Sequence, residues 1–235
     1  MEIILLACET LPWADIDTVL LDMDGTLLDL HFDSFFWLEH LPIRYAQIHQ
    51  CDFAETKVSL LAQLSKNKGT IEWYSVDYWS DKLKLDIAEL RAEVAHNISY
   101  RPFVKDFLRL LSESSKRVVL VTNDHRSGLE MKLRVTGLAD YLDKIIVSHD
   151  YSVAKEEQAF WHKMQEDEAF DPKRALFIDD TVAVLDSAAL YGIGHLRYIP
   201  QPNSQQTREH CAKYSGIHCF SKINQQLLSS WSEDE

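Results

Sequence analysis

Four short apolar runs, at positions 18–21, 118–121, 145–147 and 175–178, stand out along the chain, and a fifth candidate lies at 196–199. Each is rich in Val, Ile, Leu or Phe with little polar alternation, as expected of strands buried on both faces of a parallel sheet. Between them lie segments with helical spacing. From Ser127 the pattern offers a capping pair, Ser127 with Glu130, then Leu129 and Leu133 four apart and Gly137 as a stop. After Asp180, Val182, Leu185 and Ala189 recur at spacings of three and four before Gly192. Strand and helix therefore alternate, which predicts an α/β fold built on a doubly wound parallel sheet.

Residues 30–98 break the alternation. They read as helices only, with Asp86 and Glu89 as a further capping pair ahead of Leu90, Val94 and Ile98. The expectation is a helical insert after the first strand, dividing the chain into a core of residues 1–29 and 99–235 and a cap of residues 30–98. The insert is rich in aromatics: Trp37, Tyr45, Trp73, Tyr74, Tyr78 and Trp79. The polar, acidic end of the chain, residues 229–235, is expected to fray.

Composition changes this picture in one respect. At 235 residues, 46% hydrophobic and 26% charged, the chain is that of an ordinary globular protein. However, 24 basic residues against 37 acidic ones give a formal charge of -13. Such a charge repels nucleic acid and anionic membrane surfaces. An acidic protein that acts on an anionic ester needs a cation and a few placed donors at the site itself. Cys8, Cys51, Cys211 and Cys219 have no metal-ligand spacing and are too few to staple a chain of this size, so reduced thiols in the cytoplasm are expected. The run at 3–8, flanked by Glu2 and Glu9, lacks the basic start and the length of a signal peptide, and no stretch approaches the roughly 20 apolar residues of a membrane span.

The first apolar run leads into Asp22-Met23-Asp24-Gly25-Thr26. On an extended backbone residues two apart share a side, so Asp22 and Asp24 are expected to face one site, with Gly25 permitting a sharp turn or a close approach. Two such carboxylates suit a nucleophile beside a general acid and base, with a hard divalent cation on oxygen ligands. Alone the pentapeptide has a turn after a strand as its plainer alternative. The second run, however, ends in Thr122-Asn123 and the fourth in Asp179-Asp180. Ligand sites of open α/β sheets lie beyond the carboxyl ends of the strands, so these clusters converge. Lys155, several residues after the third run, gains meaning only from its place in this series, since most lysines solvate a surface.

Asp22-x-Asp24-Gly25-Thr26, then Thr122, Lys155 and Asp179-Asp180, resemble in order the four motifs of the haloacid dehalogenase (HAD) superfamily of phosphohydrolases. The resemblance spans about residues 17–200. It implies a Rossmann-like core with a small helical cap. It also implies that Asp22 attacks phosphorus to form an aspartyl-phosphate, and that Asp24 protonates the leaving oxygen and then activates water. Mg²⁺ would be held by Asp22, the Asp24 main-chain carbonyl and Asp180, with Asp179 as the alternative carboxylate. Thr122 and Asn123 would bind the phosphoryl group, and Lys155 would offset charge on nucleophile and phosphate. Family dehalogenases lack the second aspartate, so Asp24 points to phosphoryl transfer. Two positions depart from the pattern: Glu156 follows the lysine where proline is frequent, and Val184 stands where the fourth motif often carries another acid.

The wider context is similar to a bacterial GMP/IMP 5′-nucleotidase subgroup. It comprises residues 17–21, Phe36-Trp37-Leu38-Glu39-His40-Leu41-Pro42, Lys155-Glu156-x-Gln158-x-x-Trp161-His162 and Phe177-Ile178-Asp179-Asp180. The resemblance implies a purine nucleotide as the small-molecule partner; no spacing argument yields that specificity. Aromatic rings of the insert could stack on a base, although packing between helices is the commoner use of any one of them. The alternatives are a phosphatase for another small ester such as phosphoglycolate or a sugar phosphate, a phosphomutase, and a phosphate-binding module without turnover. His210, Cys211, His218 and Cys219 match no compact tetrahedral metal motif and read as structural or surface residues.

Overall fold

The structure is a computed structural model in which residues 10–206 and 213–231 are described. Cys8, His210 and Cys211 lie outside these. Five parallel strands, β1 (Thr18–Leu21), β2 (Arg117–Thr122), β3 (Lys144–Val147), β4 (Ala175–Asp179) and β5 (His195–Tyr198), form one sheet in the order β3-β2-β1-β4-β5. All five apolar runs are strands, each displaced by no more than one residue at either end. β1 is central, pairing Leu21 with Leu120 of β2 and with Ile178 of β4. The chain winds from β1 outward through β2 and β3, then returns to place β4 on the other side of β1. The carboxyl ends of β1 and β4 thus flank the point where the winding reverses, where such sheets open a crevice.

Between β1 and β2 come α1 (His31–Phe35), a π-helical turn (Phe36–His40), α2 (Leu41–His49), α3 (Phe53–Lys66), α4 (Ile71–Tyr74), α5 (Val76–Leu83) and α6 (Ile87–Glu93). Local chemistry starts three of these. Asp52 caps α3 by accepting from the Glu55 amide, Ser75 caps α5 through Tyr78, and Asp86 caps α6 through Glu89, as expected. Leu90 and Val94 are buried as the pattern required, but α6 stops at Glu93, so Ile98 follows a 3₁₀ turn and is not on that helix.

The remaining helices are α7 (Val104–Glu113), α8 (Arg126–Thr136), α9 (Ser148–Tyr151), α10 (Gln158–Asp167), α11 (Val182–Tyr191) and α12 (Phe220–Trp231). Alternate strand residues face opposite ways. Val19, Leu21, Val118, Leu120 and Ile178 pack with α7, α12 and the helical segment, while Leu20, Val119, Val121 and Phe177 pack with Phe160, Trp161 and Met164 of α10 and Leu185 of α11. A sheet buried on both faces between helix layers explains why its three central strands carry polar residues only at their ends.

Three sequence expectations are corrected. Ser127 does not cap α8: the helix begins at Arg126, its N-cap is His125, and the Ser127 hydroxyl is 3.0 Å from the His125 ring. The buried side of α11 is Val184, Leu185 and Ala188, with Ala189 exposed. Residues 229–231 complete α12, because Leu227 and its neighbours bury that helix against α7; residues 232–235 lie outside the described part. Among the described residues no helix is long and apolar enough to cross a membrane, and Cys51 and Cys219 are free thiols.

Candidate active site

β1 ends at Leu21, and the Asp22 amide still donates to the Ile178 carbonyl at 3.0 Å, so the first carboxylate leaves the sheet directly beside β4. The chain then folds back, with the Leu27 and Leu28 amides both donating to the Met23 carbonyl. Gly25 makes this turn possible at φ +88°. A Cβ there would lie 2.8 Å from the Pro202 Cβ and 2.9 Å from an Asp180 oxygen, so only glycine fits.

Lys155 lies in the loop before α10, and its main-chain N–H donates to Asn123 Oδ1 at 3.0 Å. Its Nζ is 2.6 Å from Asp22 Oδ1, 2.8 Å from Asp179 Oδ2 and 3.1 Å from the Val121 carbonyl. Residues from four different stretches of chain thus meet at one buried ammonium. Asp179 Oδ1 accepts from the Thr181 amide at 2.7 Å, so both Asp179 oxygens are engaged within the protein. Asp180 accepts from the Thr181 hydroxyl at 3.1 Å. Thr122 is buried, its hydroxyl oxygen accepting from the Asp124 amide at 2.9 Å.

One carboxylate oxygen from each of Asp22, Asp179 and Asp180 lies within 4.8 Å of the other two, the one such group of His, Cys or acidic ligands among the described residues. Burial raises the Asp22 and Asp179 carboxyls to about 6, against the pull of Lys155. Asp22 Oδ2 is buried and makes no hydrogen bond. A fully desolvated carboxylate oxygen without a donor is costly unless something cationic meets it. The donor set is all oxygen and anionic, so the cluster fits a hard divalent cation such as Mg²⁺.

The Asp24 carboxylate has a lysine of its own: Oδ1 lies 2.7 Å from Lys132 Nζ, whereas Asp22 meets Lys155. Lys132 also contacts Asp124 at 2.8 Å and Asp33 at 2.9 Å, and Arg91 contacts Asp33 at 3.0 Å and Asp124 at 3.6 Å. Sequence reading missed these four residues. The available signal was Asp124, Gly128 and Lys132 spaced by four, but on α8 the expected apolar position Leu133 is only half-buried while Lys132 is 1% exposed. Gly128 makes room, since a Cβ there would sit 2.5 Å from Asp124 Oδ1.

Of the aromatics, Trp79 is fully buried against Trp37 and Tyr78 and is a packing residue. Tyr74 is different: its hydroxyl donates to Glu156 Oε1 at 2.8 Å, and Asn123 Nδ2 donates to Glu156 Oε2 at 3.0 Å. The glutamate that departs from the family pattern therefore ties the helical segment to the loop after β2. Val184, the other departure, is buried among α10 and α11 side chains. Cys219 contacts the Ser221 hydroxyl and joins no metal cluster.

Residues 16–192 match the family model of haloacid dehalogenase-like hydrolases. The chain belongs to that family. It is an enzyme, a hydrolase, with the parallel sheet and flanking helices of the Rossmann-like core. It is 35% identical over 218 residues to the GMP/IMP nucleotidase YrfG of Escherichia coli (strain K12), covering 93% of this chain and 98% of that one. Among solved structures it is similar to a HAD phosphatase from Thermococcus onnurineus, at 21% identity and TM-score 0.74, covering 90% of this chain and 98% of that one. It is also similar to the L-2-haloacid dehalogenase of Xanthobacter autotrophicus, at 15% identity and TM-score 0.56, covering 91% and 98%. The last two likenesses show the fold alone.

Proposed function

We propose that the protein is a Mg²⁺-dependent phosphate monoester hydrolase that works through an aspartyl-phosphate on Asp22 and takes a purine nucleoside 5′-monophosphate, GMP or IMP, as substrate. The observation that carries the chemistry is the Asp22 carboxylate itself. One oxygen is oriented by Lys155 at 2.6 Å, and the other is buried without a hydrogen bond beside Asp179 and Asp180. The substrate follows from the 35% identity over nearly the whole of a nucleotidase named for GMP and IMP.

In this reading an Asp22 oxygen attacks phosphorus, the bond from phosphorus to the ester oxygen breaks, and Asp24 gives that oxygen its proton. Asp24 then takes a proton from water as the water attacks phosphorus, releasing phosphate and restoring Asp22. The two carboxyls suit these unlike roles. Asp24 is held well above the usual carboxylate range by burial, with repulsion from Asp33 and Asp124 adding to it against Lys132. Asp24 is therefore the more readily protonated of the two and Asp22, beside Lys155, the more readily ionised. Thr122 and Asn123, at the end of β2, would hydrogen-bond the phosphoryl oxygens, and Lys155 would offset their charge. Asp22, the Asp24 carbonyl and Asp180 would hold Mg²⁺. Asp180 is favoured over Asp179 because both Asp179 oxygens are already engaged. The cation would supply charge neutralisation for the phosphoryl group. The helical segment would act as the cap, with residues 30–98 as its extent.

The test is phosphate release from GMP, IMP, other nucleotides, sugar phosphates and phosphoglycolate, with and without Mg²⁺. Selective, metal-dependent release from GMP and IMP that falls by at least about 10³-fold in Asp22→Asn is expected. Release from other esters only would discard the nucleotide, and transfer without net phosphate release would replace hydrolysis with a mutase.

A further inference from the structure

The cluster around Lys132 lies outside the motif residues and is built from both parts of the molecule. Asp33 comes from α1 and Arg91 from α6 of the helical segment, while Asp124 follows β2 and Lys132 lies on α8. Lys132 Nζ touches three carboxylates, those of Asp24, Asp124 and Asp33, at 2.7, 2.8 and 2.9 Å. Its ammonium lies over the Phe32 ring, with Nζ 5.5 Å from the centroid, and the Arg91 guanidinium lies over Phe32 and Phe36. This aromatic floor removes water, so the ammonium has few places to go and its contacts are fixed.

Two features separate the Asp24 contact from ordinary charge neutralisation. Asp124 accepts a hydrogen bond from Lys132 and lies within reach of Arg91, and Asp33 is hydrogen-bonded to both cations, so these two carboxylates have partners beyond the lysine or beyond the pair. Asp24 Oδ1 is equally close to Nζ yet makes no well-formed hydrogen bond, although it is buried. The Asp24 oxygen is thus buried at 2.7 Å from Nζ with that ammonium as its neighbouring charge, so the place of Lys132 sets the place of the carboxyl.

We propose that Lys132 is a positioning residue that aims the Asp24 carboxyl at the ester oxygen, and that Asp33 and Arg91 make this aim depend on the helical segment being seated against α8. The inference rests on the proposed acid role of Asp24. It predicts a defect confined to the proton given to the leaving group, which a purely structural lysine would not produce. A leaving group that needs no proton should escape it.

The experiment compares kcat/KM for 4-nitrophenyl phosphate, whose leaving group departs as an anion, with kcat/KM for a 5′-nucleotide or simple alkyl phosphate, whose leaving oxygen needs protonation. Because kcat/KM reads only the steps through phosphoenzyme formation, later water activation does not enter. For Lys132→Met, the alkyl ester is expected to lose about 10²-fold while 4-nitrophenyl phosphate loses less than about 3-fold. In an Asp24→Ala background, Lys132→Met should add almost nothing for the alkyl ester. Equal losses on both esters, or a full further loss in the Asp24→Ala background, would overturn the proposal. If Lys132→Met does not fold, the ratio is read in Lys132→Arg, which keeps the charge but misplaces it. A ratio unchanged from wild type in a crystallographically shifted Arg variant would count against the idea. A crystal structure of a folded variant gives a reading independent of turnover: Asp24 should leave its orientation, and an unmoved Asp24 carboxyl would sink the proposal even in a protein that hydrolyses no ester. Absence of turnover in wild type would instead sink the hydrolase reading, leaving this structural arm to decide the inference.

Discussion

Lys155 and Lys132 are both fully buried, and each is held above the ordinary lysine range by flanking carboxylates that outweigh the cost of burial. They differ in what they join. Lys155 ties Asp22, Asp179 and the Val121 carbonyl, groups fixed to β1, β4 and β2 at the sheet's carboxyl edge. Lys132 ties Asp24 and Asp124 to Asp33, which belongs to the helical segment. One cluster hangs on the strands of the sheet and leaves an Asp22 oxygen without a hydrogen bond. The other exists only where the two parts of the molecule meet. The two aspartates of one short turn thereby belong to a site on the sheet and to a site shared with the helical segment, which suits the separate roles proposed for them.

The sharpest way to break this comparison is to remove each ammonium. Lys155→Met and Lys132→Met should each cost about 3–5 kcal/mol, because each strands buried carboxylates without a partner. Mg²⁺ should restore part of the loss in Lys155→Met, whose stranded carboxylates are those of the proposed cation site, and none in Lys132→Met. Urea unfolding with and without Mg²⁺ reads both; equal rescue would mean that the clusters are not distinct.

A smaller effect follows from pH. Asp22 and Asp179 have folded-state values of about 6 against an ordinary aspartate value of 3.8, so between these values the folded protein holds protons that the unfolded chain has released. Their contribution to stability therefore falls as pH rises from about 4 to 7. In chelator, Asp22→Asn should match wild type near pH 4 and exceed it by about 2–3 kcal/mol at pH 7. Saturating Mg²⁺ should reverse the order by stabilising wild type alone. A difference that does not change with pH would place the Asp22 carboxyl in a far better solvated setting.

The smallest effect concerns the second tie between segment and sheet. Tyr74→Phe removes the hydroxyl that donates to Glu156, at a cost of about 1–2 kcal/mol in urea unfolding. If the segment is seated mainly by the Lys132 cluster, kcat/KM should change only a few-fold. A loss as large as that of Lys132→Met would make Tyr74 and Glu156 the principal tie.

The residues legible in the sequence were those announced by position. Asp22, Thr122, Asn123, Asp179 and Asp180 each follow an apolar run that could only be a buried strand, and Lys155 completes their order. The residues that were not legible were charges placed where apolar side chains were expected. Lys132 sits on an amphipathic helix whose spacing favoured Leu133, and Arg91 sits beside Leu90 on a helix with a polar face. A buried lysine looks in sequence like any solvated one, since the carboxylates that make burial tolerable come from elsewhere in the chain.

By itself the sequence determined the five strands, the helical stretch between the first and second, the Gly25 turn and the family motifs, because these rest on local pattern: hydrophobic runs, capping residues and short spacings. Only the tertiary structure decided which lysine each aspartate meets and that Glu156 bridges Tyr74 and Asn123. Those outcomes depend on contacts between residues up to more than a hundred positions apart, whose geometry is fixed by how the sheet and the helical segment pack, and no local pattern encodes that distance.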